Sequence, residues 1–289
     1  MTAVPWPQVV ETAVESGPDP ATAVIKWRLR LHDGHHIEAV RLPMGRGRAH
    51  LCISTQVGCR MGCVFCASGQ GGLVRNLSAE EIVAQVRLGR RAWPDITRVV
   101  CMGMGEALDN LSGLLPALQR LTASDGEGLA RSAITVCTAG HIPGLAALAE
   151  LGWKRLDVAV SLHSARDVLR RSLLPVIARR WPLAALQEAL LAYRPRPNFQ
   201  YSINFILLPG INDAPAEFEA LAAFCAPLGR VMVKLLPYNP GMTAITHAPS
   251  EAEITAAVAG LRAVGLPVRR RVIKGRSIMA ACGQLAARP

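Results

Sequence analysis

From about Arg48 onward the sequence alternates short apolar, β-branched runs with longer amphipathic ones, and it does so six times. The runs at 49–54, 97–102, 132–137, 156–161, 200–206 and 231–236 read as strands. Those at 78–91, 111–122, 143–151, 182–193, 215–226 and 250–264 read as helices. Ser78 with Glu81, and Ser250 with Glu253, have the spacing of capping boxes for the first and last helices. A strand that returns through a crossover helix pairs in parallel with its predecessor, so repeated βα units predict a parallel sheet. Six units predict an α/β fold with an open or partial (β/α)6 barrel; a flat doubly wound sheet is the alternative. Ahead of the repeats, "AVIKWRLRLHDGHHIEAVRLP" over 23–43 alternates apolar and polar residues around Asp33-Gly34, a hairpin signal. The Pro- and Gly-rich start, to about Asp19, is expected to be poorly ordered. The expected organisation is an extension with a hairpin over 1–45 and a core domain over 46–289 that ends in a cysteine-bearing segment.

In parallel α/β folds the site lies at the carboxyl ends of the strands. Five chemical features fall there: a cysteine loop, "MGMGE", Cys137, "SLH" at 161–163 and Asn239. The loop "CISTQVGCRMGCVFCASGQGG" runs from Cys52 to Gly72 and holds four of the eight cysteines. Cys59, Cys63 and Cys66 are spaced C-x3-C-x2-C. A [4Fe–4S] cluster held by three thiolates leaves one iron open, and an amine with a carboxylate fits that iron well. Structural zinc on Cys52, Cys59, Cys63 and Cys66 is an alternative, although only Cys63/Cys66 forms a C-x2-C knuckle. A four-cysteine electron-transfer cluster is another. Val64-Phe65 suits a shield over a cluster or plain core.

Glu106, in Gly103-Met104-Gly105-Glu106, is placed to accept hydrogen bonds from a ligand's ammonium; an ordinary turn explains the motif equally. Cys101 and Cys225 lie in apolar surroundings and read as core. Cys137 reads as core or pocket wall. His163 reads as a pocket residue or a structural hydrogen-bonding group, and Glu38 as a solvated hairpin residue or a functional carboxylate.

The formal net charge is +11, with arginines grouped at Arg269, Arg270, Arg271 and Arg276 beside Lys274, and again at Arg28, Arg30, Arg41, Arg46 and Arg48. Such an excess suits a polyanionic partner, nucleic acid above all, or an arginine-rich surface. Hydrophobic residues make up 51% of the chain, enough for a large core, yet no apolar run reaches the roughly 18 residues of a membrane span. The opening "MTAVPWPQVVETAVESG" lacks a basic stretch followed by an apolar one, so no leader is expected. Irregularly spaced cysteines read as thiols in a reducing compartment, and a cytoplasmic location is expected.

Several stretches together resemble one family, the radical S-adenosylmethionine (SAM) RNA methyltransferases that methylate C2 or C8 of adenine. They are "LCISTQVGCRMGCVFCASGQGG", "RNLSAEEIVAQV", "MGMGEALDN", "ITVCTAGHIPGL", "VAVSLHSARDVLRRSLLPV", "LLPGIND", "LLPYNP" and "AACGQLA", covering residues 24 to about 286. The resemblance implies a radical-SAM barrel with a [4Fe–4S] cluster on Cys59, Cys63 and Cys66. It implies SAM contacts at Gly105, Glu106, Cys137, Ser161, Leu162, His163 and Asn239. Cys282 matches the cysteine that carries the methyl group, Cys52 the cysteine that resolves the adduct, and Glu38 a proton acceptor. The implied chemistry has Cys282 take a methyl group, lose a hydrogen atom from it and add to adenine. Cys52 then attacks the Cys282 sulfur, forming a transient disulfide and freeing the methylated base.

The implied partners are RNA presenting an unpaired adenine, ribosomal or transfer RNA, and an electron donor such as flavodoxin or ferredoxin. Departures from the family pattern are also present. Cys137 stands where serine is usual, Ala107 replaces a proline, and Arg276-Ser277 replaces an acidic pair. Members generally carry a further N-terminal domain that helps hold RNA, and a chain of 289 residues is expected to lack it. The arginines at 269–271 and Arg276 are therefore expected to hold phosphates near Cys282. Two other functions stay open: the same radical transfer on a peptide or small metabolite, and a non-enzymatic iron–sulfur or zinc regulator that binds nucleic acid.

Overall fold

The computed structural model describes residues 7–17 and 20–286. It opens with three antiparallel strands, β1 (Gln8–Glu15), β2 (Val24–Arg30) and β3 (His36–Pro43). The hairpin of β2 and β3 turns at Asp33-Gly34, where Asp33 Oδ1 accepts the His35 N–H at 3.1 Å. The start is more ordered than its composition suggests. Residues 8–15, "QVVETAVE", pair with β2 from Gln8 opposite Arg30 to Glu15 opposite Val24. Valines and threonine fit a pleated surface, and that preference outweighs the Pro and Gly on either side. The expectation for residues 1–6 and 18–19 lies outside the described residues.

The barrel begins at β4 (Ala49–Ile53), followed by a small hairpin of β5 (Gln56–Gly58) and β6 (Leu73–Asn76). Then come α1 (Ala79–Ala92), β7 (Ile96–Cys101), α2 (Leu111–Thr122), β8 (Ile134–Thr138), α3 (Ile142–Glu150) and β9 (Asp157–Ser161). Two short helices, α4 (Asp167–Leu173) and α5 (Pro175–Arg180), precede α6 (Leu183–Tyr193). The chain continues through β10 (Tyr201–Leu207), α7 (Pro215–Cys225), β11 (Val231–Pro237), α8 (Glu251–Ala263) and β12 (Val268–Arg270). Both expected capping boxes are present, on Ser78/Glu81 and Ser250/Glu253.

The strand order is β1-β2-β3-β4-β7-β8-β9-β10-β11-β12. All steps from β4 to β12 are parallel, and β3 joins β4 antiparallel with Val40 opposite Cys52. The result is the expected partial barrel, extended by β12 as a seventh parallel strand. One face of each strand, carrying Leu51, Val99, Val136, Val158, Ile203 and Val233, is fully buried in the main core cluster. Pleating turns the alternate residues inward: Cys52, Cys137, Ser161, Asn204 and Leu236. The β2–β3 layer is locked to the barrel by a stack of Trp27 on Trp93, ring centroids 3.9 Å apart, and by Arg41 on Asp95. Among the described residues, no helix is long and apolar enough to cross a membrane.

Candidate active site

Three buried or half-buried thiols share one loop. It leaves β5 at Gly58, whose φ is +73°; a Cβ there would sit 2.1 Å from the Gly72 carbonyl oxygen, so only glycine fits. Cys59 N–H donates to Gly72 O at 2.8 Å, Val64 N–H to Leu173 O at 3.1 Å, and Cys66 N–H to Cys63 O at 3.1 Å. Cys66 acts electrostatically on Cys59, and both act on Cys63. The thiols that act on Cys52 are Cys282 and Cys101.

Burial pushes the Cys59 thiol up to about 12 and those of Cys63 and Cys66 upward. Thiolates in such a place need a metal centre to compensate them. The surroundings are apolar: Phe65, Leu173, Leu174, Ile177, Ile206 and Leu208 form a second core cluster around them. Three thiols in an apolar cup therefore suit a cluster with one ligand position left over.

The residues expected to contact SAM stand at the ends of successive strands. Gly105 has φ +102° and packs on Gln56, so a Cβ would meet Gln56 Cβ at 2.7 Å. That turn aims Glu106 inward. Its Oε2 accepts the Ala139 N–H at 2.7 Å and its Oε1 the Leu108 N–H at 3.2 Å. Burial nonetheless holds the Glu106 carboxyl up at about 7. Cys137 is buried at the end of β8, opposite Ala159 of β9. Ser161 is opposite Asn204 of β10, and Asn204 Nδ2 lies 3.4 Å from Ser161 Oγ. Leu162 is fully buried and donates its N–H to Asn204 O.

His163 adopts φ +63°, a left-handed conformation unusual for a side chain with a Cβ. It is held there by Ile206 N–H donating to its Nδ1 at 3.1 Å and Asn212 Nδ2 donating to its carbonyl at 2.9 Å. The edge of its ring meets Phe65, centroids 4.8 Å apart. Burial and Arg170 push the imidazole down to about 3, so it is neutral and carries its proton on Nε2.

The segment after β12 returns across the open side of the barrel and brings Cys282 to the loop. Ala67 N–H donates to Gly283 O at 2.7 Å, and Ser68 Oγ to Leu285 O at 2.5 Å. Glu15 accepts from Gly275 N at 2.6 Å and Ser277 N at 3.0 Å, and Lys26 Nζ donates to Met279 O at 3.3 Å. Cys52 and Cys282 open into one cavity of about 470 Å³, together with Cys66, Met102 and Asn239. Cys282 Sγ lies 3.8 Å from Met102 Sδ. The sequence gives one signal for Met102: its place at the head of the "MGMGE" run.

Three expectations change in detail. Glu38 is buried and does not line this cavity. Its Oε1 pairs with Lys26 Nζ at 3.0 Å and its Oε2 accepts the Ala286 N–H at 2.9 Å, so the carboxylate anchors the returning segment. Arg276 is not free for a phosphate: its Nε donates to Asn239 Oδ1 at 2.7 Å, which orients that asparagine. Of the arginines at 269–271, Arg270 faces outward, bidentate on Glu251 of α8 at 2.6 Å per contact. In the earlier group, Arg41 is consumed by Asp95, Arg30 by Gln8 and Arg28 by Glu11.

The sequence pattern of the Radical SAM superfamily matches residues 53–225. A dual-specificity RNA methyltransferase RlmN of Phenylobacterium zucineum is 38% identical over 294 residues, spanning 98% of this chain and 74% of that protein. A probable dual-specificity RNA methyltransferase RlmN of a Parafrankia species is 40% identical over 307 residues, spanning 98% of this chain and 78% of that one. Among solved structures, a radical SAM methyltransferase from Sphaerobacter thermophilus matches with a TM-score of 0.89 and 37% identity, over 98% of this chain and 82% of that one.

Proposed function

We propose, from the premise that this chain belongs to the radical SAM superfamily and within it to the RlmN family of RNA methyltransferases, that it methylates an aromatic carbon of adenine, C2 or C8, through a methyl-cysteine on Cys282. As a radical SAM RNA methyltransferase it uses a [4Fe–4S] cluster and SAM. The observation that carries the finer reading is the shared cavity of Cys52 and Cys282 beside the cysteine loop.

Adenine C2 and C8 are electron-poor and do not displace a methyl group from a sulfonium, whereas a carbon radical adds to them. When bound, the cluster and SAM supply a hydrogen-abstracting 5′-deoxyadenosyl radical. Cys59, Cys63 and Cys66 would hold the cluster. Glu106 would accept from the amino end of the cofactor, and Ser161 and Asn239 would serve its remaining polar groups. His163, fixed and neutral, braces Phe65 over the loop. The Cys282 thiolate takes the methyl group by displacement. After hydrogen abstraction its methylene carbon would add to the base, and the adduct would give up one electron to the redox centre and its ring proton to a base. Cys52, facing the same cavity, would then attack the Cys282 sulfur: the S–S bond forms as the S–C bond breaks, and the carbon takes the electron pair and a proton to become the product's methyl group. Glu38 and Lys26 keep the Cys282 segment in place. A small electron-transfer protein would supply the electrons.

The test is anaerobic incubation of the reconstituted protein with reductant, SAM and total RNA, followed by nucleoside mass spectrometry. The expected product is 2-methyladenosine or 8-methyladenosine, absent with Cys282→Ala. Cofactor cleavage with no methylated nucleoside would transfer the reading to a peptide or metabolite substrate.

A further inference from the structure

The inner wall of the barrel beside the two cysteines is cationic, and this charge has no role in the chemistry above. Parity along the strands shows it. Leu236 lines the cavity, so Lys234, two residues earlier on β11, shares its face. Arg269 is the register partner of Lys234, and Arg269, Arg270 and Arg271 all border the cavity, but the guanidinium of Arg270 is committed to Glu251. On the opposite side of the opening, His50 shares the face of Cys52. Lys274 closes the edge, with its ammonium on the Pro43 carbonyl. Asp157 is a carboxylate of this wall and is paired with Arg98 at 3.1 Å. Among the described residues, Lys234, Arg269 and Arg271 make no ion pair. The convergence is visible at His50: burial and the charges of Arg98, Arg271, Lys234 and Lys274 push it down to about 4.

We propose that Lys234, Arg269 and Arg271 seat a phosphodiester of the RNA strand, adjoining the nucleotide whose base meets Cys282. The inference rests on RNA being the substrate. Guanidinium groups match phosphate oxygens bidentately, and a lysine adds a point charge. A cavity of about 470 Å³ falls in the range that encloses a small ligand, so it takes one extruded nucleotide and excludes a duplex. The exposed Arg46 and Arg48, at the β3–β4 turn beyond Met44 of the cavity rim, leave room for the strand to pass across the mouth. Recognition of the nucleotide thus has two parts, a base read at the cysteines and a phosphate held on the wall.

The experiment measures binding of a fluorescein-labelled, single-stranded adenine-containing RNA to the reconstituted protein by anisotropy over a salt series. Lys234→Met and Arg271→Gln should each weaken binding about tenfold and lower the slope of log K against log salt by about 0.7, the value for one phosphate contact on a single strand. Arg270→Gln should change neither. Adenosine 5′-monophosphate should displace the RNA at lower concentration than adenosine does, and Lys234→Met should erase that difference. Unchanged affinity and slope in Lys234→Met and Arg271→Gln, with melting temperatures like the parent's, would overturn the phosphate seat and leave the RNA reading intact. Failure of the parent protein to bind the RNA, even if it binds the free nucleotide, would overturn both.

Discussion

The Glu38 carboxylate accepts the Ala286 amide N–H at 2.9 Å, joining the third strand to residues 248 positions later. Its other oxygen holds Lys26, which in turn reaches the Met279 carbonyl. Glu38→Ala therefore leaves a mostly buried ammonium without its anion and frees the segment that carries Cys282. Removing one partner of a buried pair costs about 3 kcal/mol. The expected result is a lower midpoint in chemical denaturation, together with slower methylation of Cys282 by SAM. Glu38→Gln should recover part of the stability, because its amide oxygen still accepts the Ala286 N–H.

Cys59, Cys63 and Cys66 should fail alike. Replacement of any of them with Ala should lower the iron content from about four per chain and remove the brown colour and reductive SAM cleavage. Visible absorbance, iron analysis and 5′-deoxyadenosine release check this. A variant at Cys101, buried on the helix-facing side of β7, should keep all three.

Cys282 and Cys52 should fail differently. Cys282→Ala should cleave SAM but form neither methylated base nor protein–RNA adduct. Cys52→Ala should stop one stage later, with RNA covalently held on Cys282. Denaturing gels and intact-protein mass spectrometry distinguish the two.

Glu106 gives a pH signature. Burial holds its carboxyl up at about 7 against the N–H groups of Ala139 and Leu108. Below that pH the folded protein keeps a proton that the unfolded chain loses in the ordinary carboxylate range. Folding stability should therefore fall as pH rises from that range to about 7. SAM brings an ammonium that favours the carboxylate, so its affinity should rise through about 7 and then level off. Calorimetric titration across neutral pH checks this, and Glu106→Gln should flatten both profiles.

The βα alternation was readable because each element declares itself locally: apolar periodicity for strands and helices, and Ser-x-x-Glu for the two boxed caps. The cysteine loop was readable because its spacing is itself the ligand pattern. What stayed hidden depends on partners far away in sequence. Arg269, Arg270 and Arg271 look equivalent until β12 is known to pair with β11, and only then does pleating send the middle one outward. Glu38 reads as a hairpin residue until Ala286 returns to it. Residues 8–15 lie between Pro and Gly, and only their pairing with β2 makes them a strand.

The contacts that seat the Cys282 segment have a kinetic consequence. Glu15 meets Gly275, Lys26 meets Met279 and Glu38 meets Ala286 across separations of 260, 253 and 248 residues. Closing loops of that size is entropically slow, whereas each βα unit closes over a few tens of residues. The barrel and its cysteine loop should therefore reach native order first, and the thiol of Cys282 should dock last. During refolding, cluster binding and methyl acceptance would then appear as separate phases, and shortening β1 would lengthen only the second.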